Sequence, residues 1–157
     1  MTRRNLIAAG LGAAAAALKA ADPRFKVSLA QWSLHRAIQS RLLSNLDFPR
    51  VAREQFGIEG LEFVNQLWAA PTRDYVKALK KNIASTGTQA VLIMIDGEGE
   101  LAHSQRIERL KAAENHFRWC DIAAELGCHA IRVNMDTDAK PKTPAEIDSL
   151  YGYAQEG

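Results

Sequence analysis

Four short aliphatic runs, each followed by a stretch with helical periodicity, restrict the fold of this chain more than any other feature. The runs begin near positions 27, 58, 89 and 129, so the repeat is roughly thirty to forty residues long. The third run, QAVLIMI at 89–95, is almost continuously aliphatic, which predicts a strand buried on both faces as in parallel sheets. The regular alternation of apolar runs and helical stretches predicts an α/β fold of about four βα units. The pattern alone does not distinguish a barrel from a doubly wound sheet. The dinucleotide-binding pattern Gly-x-Gly-x-x-Gly does not follow the first run.

The element boundaries follow from capping residues and from the runs themselves. Strands are predicted at 26–32, 58–64, 89–95 and 129–134, and helices at 47–56, 72–85, 104–126 and from 143 onward. Asp47, Thr72 and Thr143 are the predicted N-terminal caps. The predicted C-terminal glycines are Gly57, Gly87 and Gly127. In the third helix, Ile107, Leu110, Phe117 and Leu126 are predicted to form the apolar side.

The first twenty-one residues have the layout of an export signal. Arg3 and Arg4 precede an apolar, alanine-rich run from Leu6 to Leu18, and no acidic residue interrupts it. This arrangement is typical of a twin-arginine signal peptide, and the run is too short to favour a transmembrane helix. We therefore expect a signal at 1–21, a folded part at 22–157, export by the twin-arginine route, and a periplasmic or extracellular location.

The net charge limits the kinds of partner that the chain binds, and the spacing of the two cysteines indicates whether they form a disulfide. Residues 1–20 hold three basic side chains and no acidic ones, which leaves 17 Lys and Arg against 18 Asp and Glu in the rest. A body with a net charge of −1 gives no electrostatic reason to bind nucleic acid or an anionic membrane surface. Cys120 and Cys128 are predicted to lie ~10 Å apart, beyond disulfide reach, and to be buried thiols.

Several stretches resemble the sugar phosphate isomerase/epimerase family, the xylose isomerase-like barrels. They are SLAQWSLH at 28–35, GIEGLEF at 57–63, LIMIDGEG at 92–99, ENHFRW at 114–119 and AAELGCHAIRVN at 123–134. The resemblance implies a partial (β/α)8 TIM barrel with only strands one to four present, since a full barrel takes about 250 residues. It also implies that a full-length homologue holds a divalent metal (Mn, Mg, Co or Zn) on strands five to eight, so no cofactor is expected in this fragment.

Barrel active sites lie at the carboxyl ends of the strands, which makes those positions the candidate substrate-binding residues. They are Gln31, Trp32, His35, Glu62, Asn65, Asp96, Glu98, Arg132 and Asn134. Alternation within strands predicts that Arg132 points the same way as Asn134, and Gln31 the same way as Ser33. Amides and carboxylates suit sugar hydroxyls, an aromatic face suits C–H edges, and arginine suits phosphate.

Structural explanations for these residues stay open. Glu62 and Arg132 could form a buried pair that holds adjacent strands, and Trp32 could be a core residue. His35 could be a solvated loop side chain, and Asp96 could cap its glycine-rich loop.

The histidines offer no metal site by spacing. Glu114-Asn115-His116 resembles a metal-binding triplet of the family, but it falls within a predicted helix, away from the barrel mouth. His103, His116 and His129 lack a pairwise metal spacing such as His-x-x-x-His.

Three functional hypotheses follow. The first is a sugar (phosphate) isomerase or epimerase, with metal-assisted proton or hydride transfer next to a sugar carbonyl in the full-length form; the fragment alone is then inactive and no catalytic residue is assigned. The second is a non-catalytic half-barrel that serves as a binding or oligomerisation module, with a carbohydrate as its small-molecule partner. Its open sheet edges then pair with another copy to form a homodimer, or lead to aggregation. The third, disfavoured by charge and export, is a nuclease of the AP-endonuclease type.

Overall fold

The computed structural model describes residues 25–156, which form one parallel four-stranded sheet with helices between the strands. The strands are β1 (Ser28–Ala30), β2 (Gly60–Val64), β3 (Gln89–Ile95) and β4 (Ala130–Val133), paired in that order. The helices are α1 (His35–Gln39), α2 (Phe48–Phe56), α3 (Arg73–Thr86), α4 (Arg106–Leu126) and α5 (Pro144–Glu156). The expected α/β fold with four βα units is confirmed. The predicted signal at 1–21 lies outside the described residues.

Local capping explains most helix ends. Gly57, Gly87 and Gly127 follow α2, α3 and α4 in the left-handed conformation, which glycine adopts without the steric cost of a Cβ atom. The hydroxyl of Thr72 accepts a hydrogen bond from the backbone of Tyr75 and begins α3.

The last helix begins with a reciprocal cap. The backbone N–H of Glu146 donates to the Thr143 hydroxyl at 3.3 Å, and the carboxylate of Glu146 accepts from the backbone of Thr143 at 2.9 Å. The predicted start of α5 is therefore confirmed.

Several predicted boundaries were wrong, including the start of the second strand, which begins at Gly60 and not at residue 58. The first strand covers only Ser28–Ala30, because the chain turns into a 3₁₀ helix at Gln31–Leu34. Asp47 precedes α2 without capping it, since its backbone is already helical and its side chain accepts no cap hydrogen bond. The long helix begins at Arg106 rather than near 104.

The hydrophobic core lies between the sheet and its helices. Leu61 and Phe63 on β2 and Ile93 and Ile95 on β3 are almost completely buried on this side. Burying one such side chain contributes about 1.5–3 kcal/mol. The opposite face of β3 is only half-buried, so the prediction of burial on both faces was wrong for the described residues. Met94 on that half-buried face lines a cavity described below.

The apolar side predicted for the long helix was also wrong. Leu126 is buried as predicted, but Ile107, Leu110 and Phe117 are exposed. Arg109 and His116 are buried instead. The Arg109 guanidinium donates to the carbonyl oxygen of His103 at 2.7 Å, and Nδ1 of His116 lies 2.7 Å from the carbonyl oxygen of Ala112. These hydrogen bonds offset part of the cost of burying the two polar side chains, although Nε of Arg109 has no hydrogen-bond partner among the described residues.

The two cysteines are free thiols in different environments. Cys120 is exposed on α4, which corrects the expectation that it is buried, and Cys128 is half-buried before β4. Within residues 25–156, none of the helices is both long and apolar enough to cross a membrane.

Candidate functional site

A cavity of about 590 Å³ opens at the carboxyl ends of the four strands. Each strand or the turn after it contributes to its wall, which is formed by Ala30, Trp32, Ser33, Val64, Met94, Asp96, Arg132 and Asn134. The strand pairing brings these positions together, because Val64 aligns with Met94 and Met94 aligns with Arg132. We refer to this cavity as the mouth.

Three polar side chains form a hydrogen-bonded cluster in the mouth. The Arg132 guanidinium donates to Oδ1 of Asp96 at 2.9 Å, and the Asn134 amide donates to the same oxygen at 2.9 Å. Arg132 also donates to the side-chain oxygen of Asn134. The prediction that Arg132 and Asn134 share a face is confirmed. The cluster leaves other guanidinium and carboxylate atoms available to hydroxyl groups.

The backbone of Asp96 is fixed by a buried amide. Oδ1 of Asn65 accepts from the backbone N–H of Asp96 at 3.0 Å, and Nδ2 of Asn65 donates to the carbonyl oxygen of Asp96 at 2.9 Å. This two-point bond continues the pairing of β2 and β3 by one residue beyond the strands. Asn65 therefore positions the Asp96 carboxylate rather than lining the mouth itself.

Glu98 fastens the glycine-rich loop that follows β3. Its carboxylate accepts from the indole N–H of Trp119 at 2.7 Å and from Arg118 at 2.5 Å. Burial on its own raises the pKa of Glu98, but the hydrogen bonds from Trp119 and Arg118, the charge of Arg118 and a bond from Asn65 outweigh it, so the pKa is lowered. Glu98 is thus a charged anchor of the loop.

An aromatic surface lies on one side of the mouth. The rings of Trp32 and His35 are stacked with centroids 4.7 Å apart and planes 12° apart. Nδ1 of His35 lies 2.6 Å from the carbonyl oxygen of Trp32, which holds the imidazole in place. Trp32 is 45% exposed, so it is not a core residue and presents an apolar face to the cavity.

The side chain of Gln31 lies outside the mouth. It is fully buried, accepts from the backbone N–H of Val64 at 3.0 Å and donates to Asn45. The prediction that Gln31 and Ser33 share a face was wrong, because the chain leaves strand geometry at residue 31 and only Ser33 reaches the cavity. Gln31 joins the end of β2 to the loop after β1.

Glu62 precedes the mouth residue Val64 by two positions on β2 and does not itself line the mouth. It aligns with Ala30 on β1, and its carboxylate accepts a hydrogen bond from the hydroxyl of Ser28. The hypothesis of a Glu62–Arg132 pair across adjacent strands was wrong, because β3 lies between β2 and β4 and Arg132 is paired with Asp96.

The residues of the mouth do not fit a divalent cation. Asp96 is the one carboxylate in the wall, and it is paired with the positive charge of Arg132. Magnesium, manganese or zinc prefers several anionic or imidazole ligands around one point. Any metal of the family type would therefore depend on residues beyond these four strands.

A second group of possible ligands lies on the loops that follow β3 and β4 and serves to join these loops. One atom from each of Glu100, His103 and Asp138 lies within 4.8 Å of the others. Nδ1 of His103 accepts from the backbone of Gln105, and both Asp138 oxygens accept from Ser104. These bonds tie the β3–α4 loop to the β4–α5 loop. The triplet Glu114-Asn115-His116 lies within α4, as the sequence predicted.

Sequence reasoning missed some residues that shape the mouth. Trp119 and Arg118 lie in the middle of α4, where helical periodicity does not indicate a contact with Glu98 in the loop after β3. Asn45 was also missed, since its link to Gln31 depends on a turn that the sequence does not reveal. Asn65 and Glu98 could be found because they directly follow strands.

Four parallel βα units in sequential strand order, with a polar cluster at the carboxyl ends of the strands, have the architecture of a partial (β/α)8 barrel. Among solved structures, the chain is similar to a protein from Rhodospirillum rubrum described provisionally as a xylose isomerase, with a TM-score of 0.66 and 15% sequence identity. The similarity covers 84% of this chain and 47% of that one, so the chain spans about half the length of its relative. At this identity the likeness shows the fold. No protein-family profile and no curated protein matches the sequence.

Proposed function

We propose that this chain forms the substrate wall of a sugar isomerase or epimerase of the xylose isomerase-like type. The observation that supports this most directly is the Asp96–Arg132–Asn134 cluster, which lines one cavity together with the exposed Trp32. A carbohydrate needs both kinds of surface, hydrogen-bonding groups for its hydroxyls and an aromatic face for its C–H edges.

The electrostatics of the wall favour an uncharged carbohydrate over a sugar phosphate. Arg132 carries the one positive charge in the wall, and Asp96 compensates it at 2.9 Å. Glu62 adds a negative charge on β2, two positions before Val64. A phosphate dianion would therefore meet no net positive charge from these residues.

The chemistry proposed for the full-length protein is transfer of a proton or hydride next to the sugar carbonyl. The residues of this chain would bind and orient the hydroxyls, and the family's metal ligands would come from strands five to eight. We expect the 157-residue chain to have no isomerase activity and to bind Mn²⁺ or Mg²⁺ only weakly. Stoichiometric binding of either ion in isothermal calorimetry would contradict this.

The proposed binding role can be tested at Trp32 by NMR. Its indole N–H is one of three in the chain, and the other two tryptophans, Trp68 and Trp119, are buried. Titration with D-fructose is expected to shift the Trp32 indole signal and leave that of Trp119 unchanged. Arg132→Ala is expected to weaken this response, and Arg50→Ala on the outer helix α2 serves as the matched control.

Two results of the Trp32 titration count against the proposal. A Trp32 signal that does not respond to D-fructose at high millimolar concentration, in a chain that is folded by its spectrum, would contradict carbohydrate binding. An equal loss in the Arg50→Ala control would show that the Arg132 effect is not local.

A second candidate function is a half-barrel module that pairs with another chain. In residues 25–156, β1 and β4 each have a strand on one side only, so both outer edges carry unpaired backbone groups. Size-exclusion chromatography with light scattering tests this. A discrete soluble dimer would favour the module, whereas monomer or heterogeneous aggregate would not.

Export by the twin-arginine route completes the proposal. Replacing Arg3 and Arg4 together by lysine keeps the charge and removes the guanidinium pair. We expect the unaltered chain in the periplasmic fraction of a bacterial host and the double lysine variant in the cytoplasm. The same distribution for both proteins would contradict the twin-arginine route.

A further inference from the structure

Three exposed apolar side chains form a stripe along α4. Ile107, Leu110 and Phe117 are 56%, 42% and 63% exposed. At about 100° per residue they lie within about 80° of one another around the helix axis, and they extend over about 15 Å along it. We call these three residues the α4 stripe.

The α4 stripe faces away from the sheet. Trp119 and Ala123, which belong to the hydrophobic core, lie on the opposite side of the helix. On its flanks α4 contacts α3 and α5. The helices of a (β/α)8 barrel form an outer ring, so further strands and helices would not cover this side of α4. Apolar side chains grouped on an outer surface favour contact with a partner.

Opposite charges lie at the two ends of the α4 stripe. Arg106 is exposed at the N-terminal end, and Asp121 is exposed at the C-terminal end. Within residues 25–156, neither side chain takes part in an ion pair. A surface with this charge distribution is complementary to a second copy of itself that runs in the opposite direction.

One antiparallel register matches the apolar and the charged residues together. When the two-fold axis passes between positions 113 and 114, Leu110 of one copy faces Phe117 of the other. The same axis brings Arg106 opposite Asp121, twice in each dimer. A parallel arrangement would instead bring Arg106 opposite Arg106 and Asp121 opposite Asp121, which is unfavourable.

We propose that the α4 stripe is the interface of a weak homodimer, in which α4 packs antiparallel against α4 of a second copy. One helix from each copy buries less area than a permanent interface does, so we expect a dissociation constant on the order of 100 µM. This dimer does not use the outer edges of β1 and β4, and it leaves the mouth open.

Exchange of the two charges tests the register. In sedimentation equilibrium of the 157-residue chain, Arg106→Asp and Asp121→Arg are each expected to weaken the dimer about tenfold, because each brings like charges together twice. An equal mixture of the two variants forms a heterodimer in which both pairs are again opposite in charge. The mixture is therefore expected to associate about as tightly as the original chain. Arg36→Asp, at an exposed position of α1, is the control and is expected to have no effect.

Phe117→Ser tests the apolar contact. It removes an exposed ring from each copy and is expected to weaken the dimer at least about tenfold. The matched control is Leu42→Ser, which removes an apolar side chain that is 85% exposed after α1, and it is expected to leave the dimer unchanged.

Glu114 is expected to oppose the dimer. It is exposed on the same side of α4 and lies beside the proposed two-fold axis, where it approaches Glu114 of the second copy. Glu114→Gln is therefore expected to tighten the dimer roughly two- to fivefold. Glu54→Gln on α2 makes the same change far along the chain and is expected to have no effect.

Three results would overturn the proposal. The first is a chain that stays monomeric up to millimolar concentration. The second is a dimer that neither charge variant weakens, which would assign the contact to the sheet edges. The third is a mixture of Arg106→Asp and Asp121→Arg that associates no better than either variant alone, because the antiparallel register requires the heterodimer to recover.

Discussion

Arg132 on β4 and Asp96 at the end of β3 form an ion pair across neighbouring strands, with 2.9 Å between Nη1 and Oδ1. Both side chains are partly exposed, so solvent screens the pair and its contribution to stability is small. Its larger effect is on the mouth, where it cancels the one positive charge of the wall.

Asp96→Asn should change the ligand preference of the mouth. Removal of the carboxylate leaves Arg132 uncompensated, so binding of D-fructose 6-phosphate should improve roughly two- to fivefold, the factor that corresponds to about 0.5–1 kcal/mol. Binding of D-fructose should weaken because an acceptor for hydroxyl groups is lost. NMR titrations of both sugars with the Trp32 indole as reporter measure the two effects.

The matched control for this change is Asp121→Asn, which removes an exposed carboxylate from α4. It alters the net charge of the chain by the same amount without touching the mouth. A gain in phosphate binding of the same size in both variants would attribute the effect to net charge and contradict the local role of Asp96.

Gln31→Leu should destabilise the chain although it places an apolar residue in a buried position. The leucine leaves the N–H of Val64 and the side-chain oxygen of Asn45 without partners. We expect a loss of about 2–3 kcal/mol in the free energy of unfolding, measured by chemical denaturation. Gln55→Leu, the same change at an exposed position of α2, should cost less than about 0.5 kcal/mol. Equal effects of the two changes would show that the Gln31 bonds are unimportant.

The contrast between β3 and the start of the chain shows what the sequence can predict. The boundaries of β3 were correct because six apolar residues at 90–95 lie between the polar pair Thr88 and Gln89 and the acidic Asp96. At β1 the same reasoning extended the strand through Trp32. The turn at Gln31 is fixed by its long-range bond to Val64, which no local pattern records.

The face of α4 was mispredicted for a similar reason. Apolar residues lie on more than one side of this helix, so periodicity does not select the buried side. Packing selects the side that carries Trp119 and Ile122, and Nη1 of the buried Arg109 donates to two loop carbonyls. Positions at the carboxyl ends of the strands are easier to predict, because residues that directly follow parallel strands meet at one edge of the sheet whatever the helices do.

Arg41→Gly should stabilise the fold. Arg41 follows α1 in the left-handed conformation, and Leu42 donates back to the carbonyl oxygen of Ala37 at 2.9 Å, which is a helix end where glycine is preferred. Relief of the strain should add about 1 kcal/mol and raise the melting temperature by about 2–4 °C. Differential scanning calorimetry measures this. Arg36→Gly, inside α1, should lower the stability by about 0.5–1 kcal/mol, so a loss in both variants would contradict strain at Arg41.

The two thiols should react at very different rates. Burial raises the pKa of Cys128 to about 11, so only about one molecule in a thousand carries its thiolate at pH 8. Cys120 is exposed and should be alkylated first by iodoacetamide, as mass spectrometry of the peptides would show. Labelling of Cys128 should accelerate about tenfold per pH unit up to about 11. In Cys120→Ser, rapid labelling at pH 8 would contradict burial of Cys128.

Glu98→Gln should make stability less sensitive to acid. The folded state lowers the pKa of Glu98 below its ordinary value of 4.5, so the charge of this residue stabilises the fold above pH 4.5 and the effect disappears as the pH falls through the lowered pKa. Glutamine retains an oxygen that can accept from Trp119 but loses the attraction to Arg118. The difference in unfolding free energy between the original chain and the variant should therefore be constant from pH 7 to about 5 and shrink below pH 4.5. Urea denaturation at a series of pH values measures it. Glu125→Gln, at an exposed position of α4, is the control. If the difference in unfolding free energy varied with pH in the same way for this variant, the result would contradict a specific role of the Glu98 carboxylate.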